Sequence, residues 1–309
     1  MTTASGGRRT GALPRHLAQL ESEAIHILRE GVAEARKPVL LFSGGKDSTV
    51  LAALAARAFH PSPPPLPLLH IDSTWEFQEI LEFRDRFAER YGFDLIVERN
   101  EEGLGAGIGP FTHDPAIYTE IMRTRPLTEA IARHRFDVIF GGARRDEDPA
   151  RAKERIFSLR LSGQRWDPRS QRPELWRTFN VRLGREETLR VFPLSNWTEA
   201  DIWAYADCRG LELAPLYFAA SRPVVNCDGQ LLVVHDTRFP ARPGEVPVAT
   251  TVRFRTVGCW PVTGAVPSEA VTLEAVIQEL AASRRSERQG RKMDGDGGSL
   301  ERQKREGYF

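Results

Sequence analysis

Ser43-Gly44-Gly45-Lys46-Asp47-Ser48 gathers two hydroxyls, two adjacent glycines, an ammonium and a carboxylate into six residues. Glycines let a backbone approach an anion closely, and unpaired N–H groups at a helix start favour negative charge. The chemistry such a set supports is phosphate binding and stabilisation of charge on a departing phosphate. A Walker loop requires Gly-x-x-x-x-Gly-Lys followed directly by Ser or Thr, whereas here Asp47 separates Lys46 from Ser48. The dinucleotide fingerprint Gly-x-Gly-x-x-Gly fails because Gly44 and Gly45 are adjacent. An ordinary strand-to-helix turn, with glycines for geometry alone, is the bland competitor. Asp47 adds no attraction for phosphate, so it either caps the following helix or holds Mg²⁺ through water.

A second cluster, Gly141-Gly142-Ala143-Arg144-Arg145-Asp146-Glu147-Asp148, again places glycines before cations. Paired guanidinium forks suit a phosphate or a sulfate, so Arg144 and Arg145 are candidate oxyanion ligands. A charged helix start, neutralised by Glu147 and Asp148, is the alternative. Asp72 ends an apolar run and is either a polar cap or a ligand to nucleotide or metal. No metal-ligand set is legible. His70 sits inside a strand and reads as a core histidine, and the six tryptophans read as packing or partner contacts.

Elements that position these residues follow from periodicity. Leu17, Leu20, Ala24, Ile27, Leu28 and Val32 recur at helical spacing. The runs 39–42, 66–72, 93–97 and 136–140 read as strands, alternating with helices from 48 to 59, 76 to 91 and 118 to 133. Such alternation implies an α/β fold, a parallel sheet with helices on both faces, whose ligands bind beyond the carboxyl ends of the strands. Thr198 opens a helix with an acidic first turn, and Asp228-Gly229 marks a hairpin. A last helix runs from about 268 to 283. The expected division is a leader at 1–13, a nucleotide-binding domain at 14–220 and an α+β extension at 221–309.

Composition narrows the class. Apolar residues make up 41% and charged residues 28% of 309, as in a globular protein. Lys plus Arg (43) balances Asp plus Glu (42), so no basic field argues for nucleic acid. No apolar run is long enough to span a bilayer. The three cysteines, Cys208, Cys227 and Cys259, form no Cys-x-x-Cys pair, which points away from a disulfide framework or zinc knuckle and towards a reducing cytoplasm.

Ser43 to Ser48 resembles the pyrophosphate loop of the ATP pyrophosphatase superfamily, which cleaves ATP between the α and β phosphates. Further segments narrow the likeness: Pro67 to Asp72, Phe140 to Glu147, Arg165 to Pro168, Arg172 to Trp176, Val191 to Glu199, Gly258 to Ala265 and Ser286 to Arg291. In this order they resemble the small subunit of bacterial sulfate adenylyltransferase, within the wider phosphoadenosine-phosphosulfate reductase-like family. The resemblance implies an adenine nucleotide alpha hydrolase-like fold, α/β with a parallel five-stranded sheet, helices on both faces and a C-terminal α+β extension. It implies adenylyl transfer from ATP, with Mg²⁺, to sulfate, and a separate GTPase large subunit as partner. Nucleotide would meet Ser43, Gly44, Gly45, Lys46, Asp47, Ser48, Asp72, Gly141 and Gly142, with Lys46, Arg144 and Arg145 catalytic. Two positions depart from the pattern: Gly44 stands where that subunit often has a bulky residue, and Thr74 where it commonly has glycine. Reduction of adenylyl sulfate, on the same fold, needs a nucleophilic cysteine near the C-terminus, and none follows Pro261. Adenylation of tRNA would require Cys-x-x-Cys pairs or a basic groove, and neither is visible.

Overall fold

The computed structural model describes residues 13–227, 229–240 and 246–282. The expected leader, Asp228 of the hairpin turn and the tail with its 286–291 motif lie outside the described residues, apart from Leu13. Helix α1 (Arg15–Glu34) buries Leu17, Leu20, Ala24, Ile27 and Leu28, the stripe its spacing predicts. Strand β1 (Pro38–Leu41) and helix α2 (Lys46–Phe59) flank the glycine turn, followed by β2 (Leu68–Ile71), α3 (Gln78–Tyr91) and β3 (Leu95–Glu98). Helices α4 (Glu101–Gly105) and α5 (Pro115–Thr119) come next, then a π-helical turn (Glu120–Thr124) and α6 (Arg125–His134). One continuous helix was expected over 118–133. Pro126 has no N–H for the carbonyl four residues back, and the wider turn takes up that lost bond.

Strand β4 (Val138–Phe140), the short α7 (Pro149–Ala152), β5 (Phe157–Arg160), β6 (Thr188–Val191) and α8 (Glu199–Arg209) complete the first layer system. The sheet order is β3-β2-β1-β4-β6-β5. The first five strands in that order run parallel, and β5 pairs antiparallel with β6 at the edge. The expected five-stranded parallel sheet is therefore present, with one further edge strand. Side-chain groups of a covering segment protect that edge: Glu174 accepts from the Ile156 and Phe157 N–H groups at 3.1 and 2.7 Å. Gln171 accepts from the Leu159 N–H and donates to the Leu159 carbonyl, both at 3.0 Å.

Alternation along the strands divides the core. Leu40, Phe42, Leu68 and Phe140 face α1, α2 and α3, while Val39, Leu69 and Ile139 meet Leu127, Ala130 and Ile131 of α6. Thr198 caps α8 with a reciprocal bond to Asp201, as its sequence predicts. Beyond it, β7 (Ala220–Cys227), β8 (Gln230–Val233), β9 (Val248–Arg253) and β10 (Val266–Pro267) form a second sheet in the order β10-β9-β7-β8, followed by α9 (Leu273–Ala282). Val224, Val233 and Val252 of this sheet, with Phe254 just beyond β9, join the core of the first. Among the described residues, no helix is long and apolar enough to cross a membrane.

Candidate active site

Connectivity reverses between β1 and β4: the chain builds outward through β2 and β3 from β1, and on the other side through β6 from β4. Ligands of open parallel sheets bind at such a switch point, beyond the carboxyl ends of the strands. The turn after β1 carries Ser43 to Ser48, and the turn after β4 carries Gly141 and Gly142. They touch: a Cβ on Gly142 would stand 3.2 Å from the Asp47 carbonyl carbon and the Ser48 nitrogen. A side chain there would press the two turns apart by a few tenths of an ångström. Gly44 adopts φ +72°, and a Cβ there would also lie 2.9 Å from Ile80 Cγ2. A bulky residue at position 44 would thus need both a left-handed backbone and a displaced α3, which explains glycine in this chain.

Inside the loop, Ser43 Oγ and Ser48 Oγ are 3.2 Å apart, and Ser48 Oγ donates to the Gly45 carbonyl at 3.0 Å. The Lys46 N–H donates to the Tyr217 hydroxyl at 2.7 Å. Tyr217, from the 3-10 turn Pro215–Tyr217, therefore fixes the loop from a segment far along the chain. Sequence reasoning missed it, since a lone tyrosine in an apolar stretch carries no signal.

Asp47 does not cap α2. Gly45 is the N-cap residue and makes no side-chain cap. Instead Asp47 accepts from Lys46 Nζ at 3.0 Å and from Arg144 Nε at 2.7 Å. Burial raises the Asp47 pKa, but the Lys46 and Arg144 charges outweigh it and hold the carboxyl at about 2. Lys46 is 1% exposed. Asp47 is thus an anionic spacer that holds two cations beside the glycine turns.

Arg144 and Arg145 part company. The Arg144 side chain is wholly buried and also meets Asp146 at 3.1 Å and Glu147 at 3.8 Å. Arg145 donates from Nη1 to Asn196 Oδ1 at 2.7 Å. Consecutive residues leaving a strand point in different directions, so the expected convergence of both forks on one oxyanion does not occur.

At the end of β2, Asp72 accepts from the Thr74 N–H at 2.7 Å and Arg99 Nη2 at 2.6 Å. Burial opposes its charge, and these bonds prevail to lower its pKa. Glu76, deeper, is raised by burial despite Arg123. Thr74 itself sits at φ +68°, a left-handed conformation that costs a β-branched residue on the order of 1–3 kcal/mol. Thr74→Gly is accordingly expected to raise unfolding stability by about 1 kcal/mol. Chemical denaturation measures it, and an unchanged or lower midpoint would contradict a strained Thr74.

His70 is a core histidine, as expected: Nδ1 lies 2.9 Å from the Phe42 carbonyl, and burial with nearby Arg84 pushes its pKa down to about 4. An unfolded histidine titrates near 6.5, so between those values the unfolded chain binds a proton that the folded chain refuses. Stability should fall as pH drops from 6.5 towards 4, by up to roughly 3 kcal/mol from this group. His70→Gln should flatten that part of the pH–stability curve; an equally steep curve would assign the loss elsewhere.

Cys259 is buried, and its thiol contacts Ser73 Oγ at 3.1 Å, Tyr118 OH at 3.0 Å and Arg123 Nη2 at 3.1 Å. Burial pushes its pKa up, the reverse of an activated nucleophile. It ties the C-terminal segment to the turn after β2, a polar role beyond the packing expected from its neighbours. Of the tryptophans, Trp176 stands out at 91% exposed and φ +52°, beside the exposed Leu175.

Among the described residues, no group of three His, Cys, Asp or Glu could hold a metal ion. Both Asp47 oxygens are engaged by cations, so this residue set does not fit a protein-held Mg²⁺.

Two anion-directed glycine turns at a switch point, with buried Lys46 and Arg144 between them, define a nucleotidyltransferase of the pyrophosphate-loop type. A family model for the phosphoadenosine phosphosulfate reductase domain matches residues 37–265, and the chain belongs to that family. It is 57% identical over 295 residues to sulfate adenylyltransferase subunit 2 of Geobacter metallireducens, covering 95% of this chain and 98% of the relative. The protein of the same name from Rhodopseudomonas palustris is 58% identical over 295 residues, covering 95% and 90%. A solved phosphoadenylyl-sulfate reductase from Candida auris shares 15% identity with a TM-score of 0.46, over 67% of this chain and 92% of that one.

Proposed function

We propose that this chain transfers the adenylyl group of ATP to sulfate, forming adenosine 5′-phosphosulfate and pyrophosphate. The observation that carries this reading is the contact between the Ser43–Ser48 loop and the Gly141–Gly142 turn, which sets Lys46 and Arg144 around one anion-binding mouth. A sulfate oxygen attacks the α phosphorus, and the bond from that phosphorus to the bridging oxygen breaks. Its electron pair leaves with pyrophosphate. Lys46 and the N–H groups of the first α2 turn stabilise the leaving charge. Mg²⁺ arrives as part of the substrate, on the nucleotide phosphates, since the described residues offer no cage for it.

Sulfate is a weak nucleophile and its mixed anhydride with phosphate is high in energy. A separate subunit that hydrolyses GTP supplies the drive, in keeping with relatives named as a second subunit. The test is pyrophosphate release from ATP by the chain alone, with sulfate, and with the co-purified partner plus GTP. Release should rise with sulfate and rise again with GTP. Release indifferent to sulfate in all three settings would sink the assignment.

A further inference from the structure

Strand β6 reads Thr188-Leu189-Arg190-Val191, and its arginine lies inside the sheet at 1% exposed. Register pairs Arg190 with Ile139 on one side and Ser158 on the other, so its side chain shares a face with Ser158 and Arg160. Arg160, also fully buried, donates from Nη2 to Glu154 Oε1 and from Nη1 to Ser158 Oγ, each at 3.0 Å. Ser158 Oγ in turn donates to the other Glu154 oxygen. Glu154 thus bonds both Arg160 and Ser158. The Arg190 Nε, Nη1 and Nη2 atoms have no hydrogen-bond partner, nor has Arg160 Nε.

The charge count is the argument. Among the described residues the two guanidiniums share one carboxylate, leaving a buried positive charge that a protein interior tolerates poorly. Burial and Arg160 together push the Arg190 pKa down to about 9, still charged at neutral pH. A planar fork that makes no hydrogen bond among the described residues, and whose attraction to Glu154 is shared with Arg160, is matched by a tetrahedral oxyanion. Position agrees. Arg190 precedes Val191, whose carbonyl accepts the Gly141 N–H at 2.9 Å. β6 stands two strand spacings, roughly 10 Å, from β1. Arg144, by contrast, already meets three carboxylates.

We infer that Arg190, with Arg160 beside it, is the ligand for the acceptor oxyanion, sulfate, an assignment that rests on the adenylyl-transfer reading above. Entry requires the covering segment 161–187, held by Thr188–Gln164 and Ser158–Gln171 bonds, to part from the sheet.

Direct binding separates this from the reading it rests on. Thermal unfolding of the full chain is followed with sodium sulfate or sodium chloride at equal ionic strength, for wild type, Arg190→Met, Arg190→Lys and Arg145→Met. Wild type and Arg145→Met should gain several degrees in sulfate, by linkage to a bound anion. Arg190→Met should show no sulfate-specific gain, and Arg190→Lys a reduced one. In turnover, either Arg190 variant should raise KM for sulfate about tenfold or more with KM for ATP little changed. An Arg190→Met protein that responds to sulfate like wild type, or a response lost in Arg145→Met instead, overturns the site. Sulfate-dependent pyrophosphate release in wild type would then leave the function itself standing.

Discussion

Lys46→Ala is expected to lower pyrophosphate release by roughly 10²–10³-fold, the usual loss when one preorganised charge stabiliser is removed. Folding should survive. Asp47 keeps its 2.7 Å bond to Arg144, and the turn keeps its Gly44 and Gly142 geometry. The loss should fall mainly on kcat, because the leaving charge develops only as the phosphorus–oxygen bond breaks. Lys46→Arg should not restore it. The ammonium is buried 3.0 Å from Asp47, and a planar guanidinium needs more room than that position gives. Steady-state pyrophosphate release checks both variants, and full turnover in Lys46→Ala would remove the loop from the mechanism.

Arg144→Met should act on the fold as well as on turnover. Its side chain is wholly buried and joins Asp47, Asp146 and Glu147, so methionine removes the cation that the three carboxylates share, with Glu147 left to Arg151 at 2.9 Å. Removing one partner of a buried ion pair costs about 3–5 kcal/mol. Lys46 still faces Asp47, which places the expected loss at the lower end of that range. The Asp47 carboxyl, held at about 2 by both cations, should titrate higher in the variant. The interval below the unfolded carboxylate value of about 3.9 over which acid removes stability should then narrow, so the variant's deficit against wild type should shrink on acidification. Equilibrium denaturation at pH 7 and below about pH 3.9 measures both effects. A variant as stable as wild type at both would mean that Arg144 is not the keystone of the cluster.

Much of this was legible in residues 38–140. The glycine turn, four of the parallel strands and their helices all announce themselves by period, because apolar runs and glycine punctuation coincide there. The fifth parallel strand did not. Thr188-Leu189-Arg190-Val191 carries a buried arginine in its middle, which breaks the apolar run by which interior strands are recognised. The edge strand β5, Phe157–Arg160, is hidden for the same reason by Arg160. The polar residues that obscure these strands are thus the ones that the structure brings face to face.

Within the site, sequence named Lys46, Asp47 and both glycine turns correctly as neighbours, since each follows a strand end. It could not orient side chains. Arg144 and Arg145 are adjacent in the chain, yet one reaches Asp47 in the Ser43–Ser48 turn and the other turns to Asn196. Tyr217 reaches Lys46 across 171 positions, a contact that only folding creates. Thr74 shows the opposite case. A β-branched residue at this turn is visible in sequence, and the structure supplies the physical content, a left-handed backbone at φ +68°.

What remains is whether sulfur becomes joined to the nucleotide. The chain, with its co-purified partner, ATP and GTP, is supplied with ³⁵S-sulfate, and the nucleotides are separated. Radioactive sulfur should appear in an adenine nucleotide mole for mole with pyrophosphate, and disappear from it in Lys46→Ala. Pyrophosphate formed from ATP with no sulfur entering any nucleotide would contradict sulfate as the acceptor.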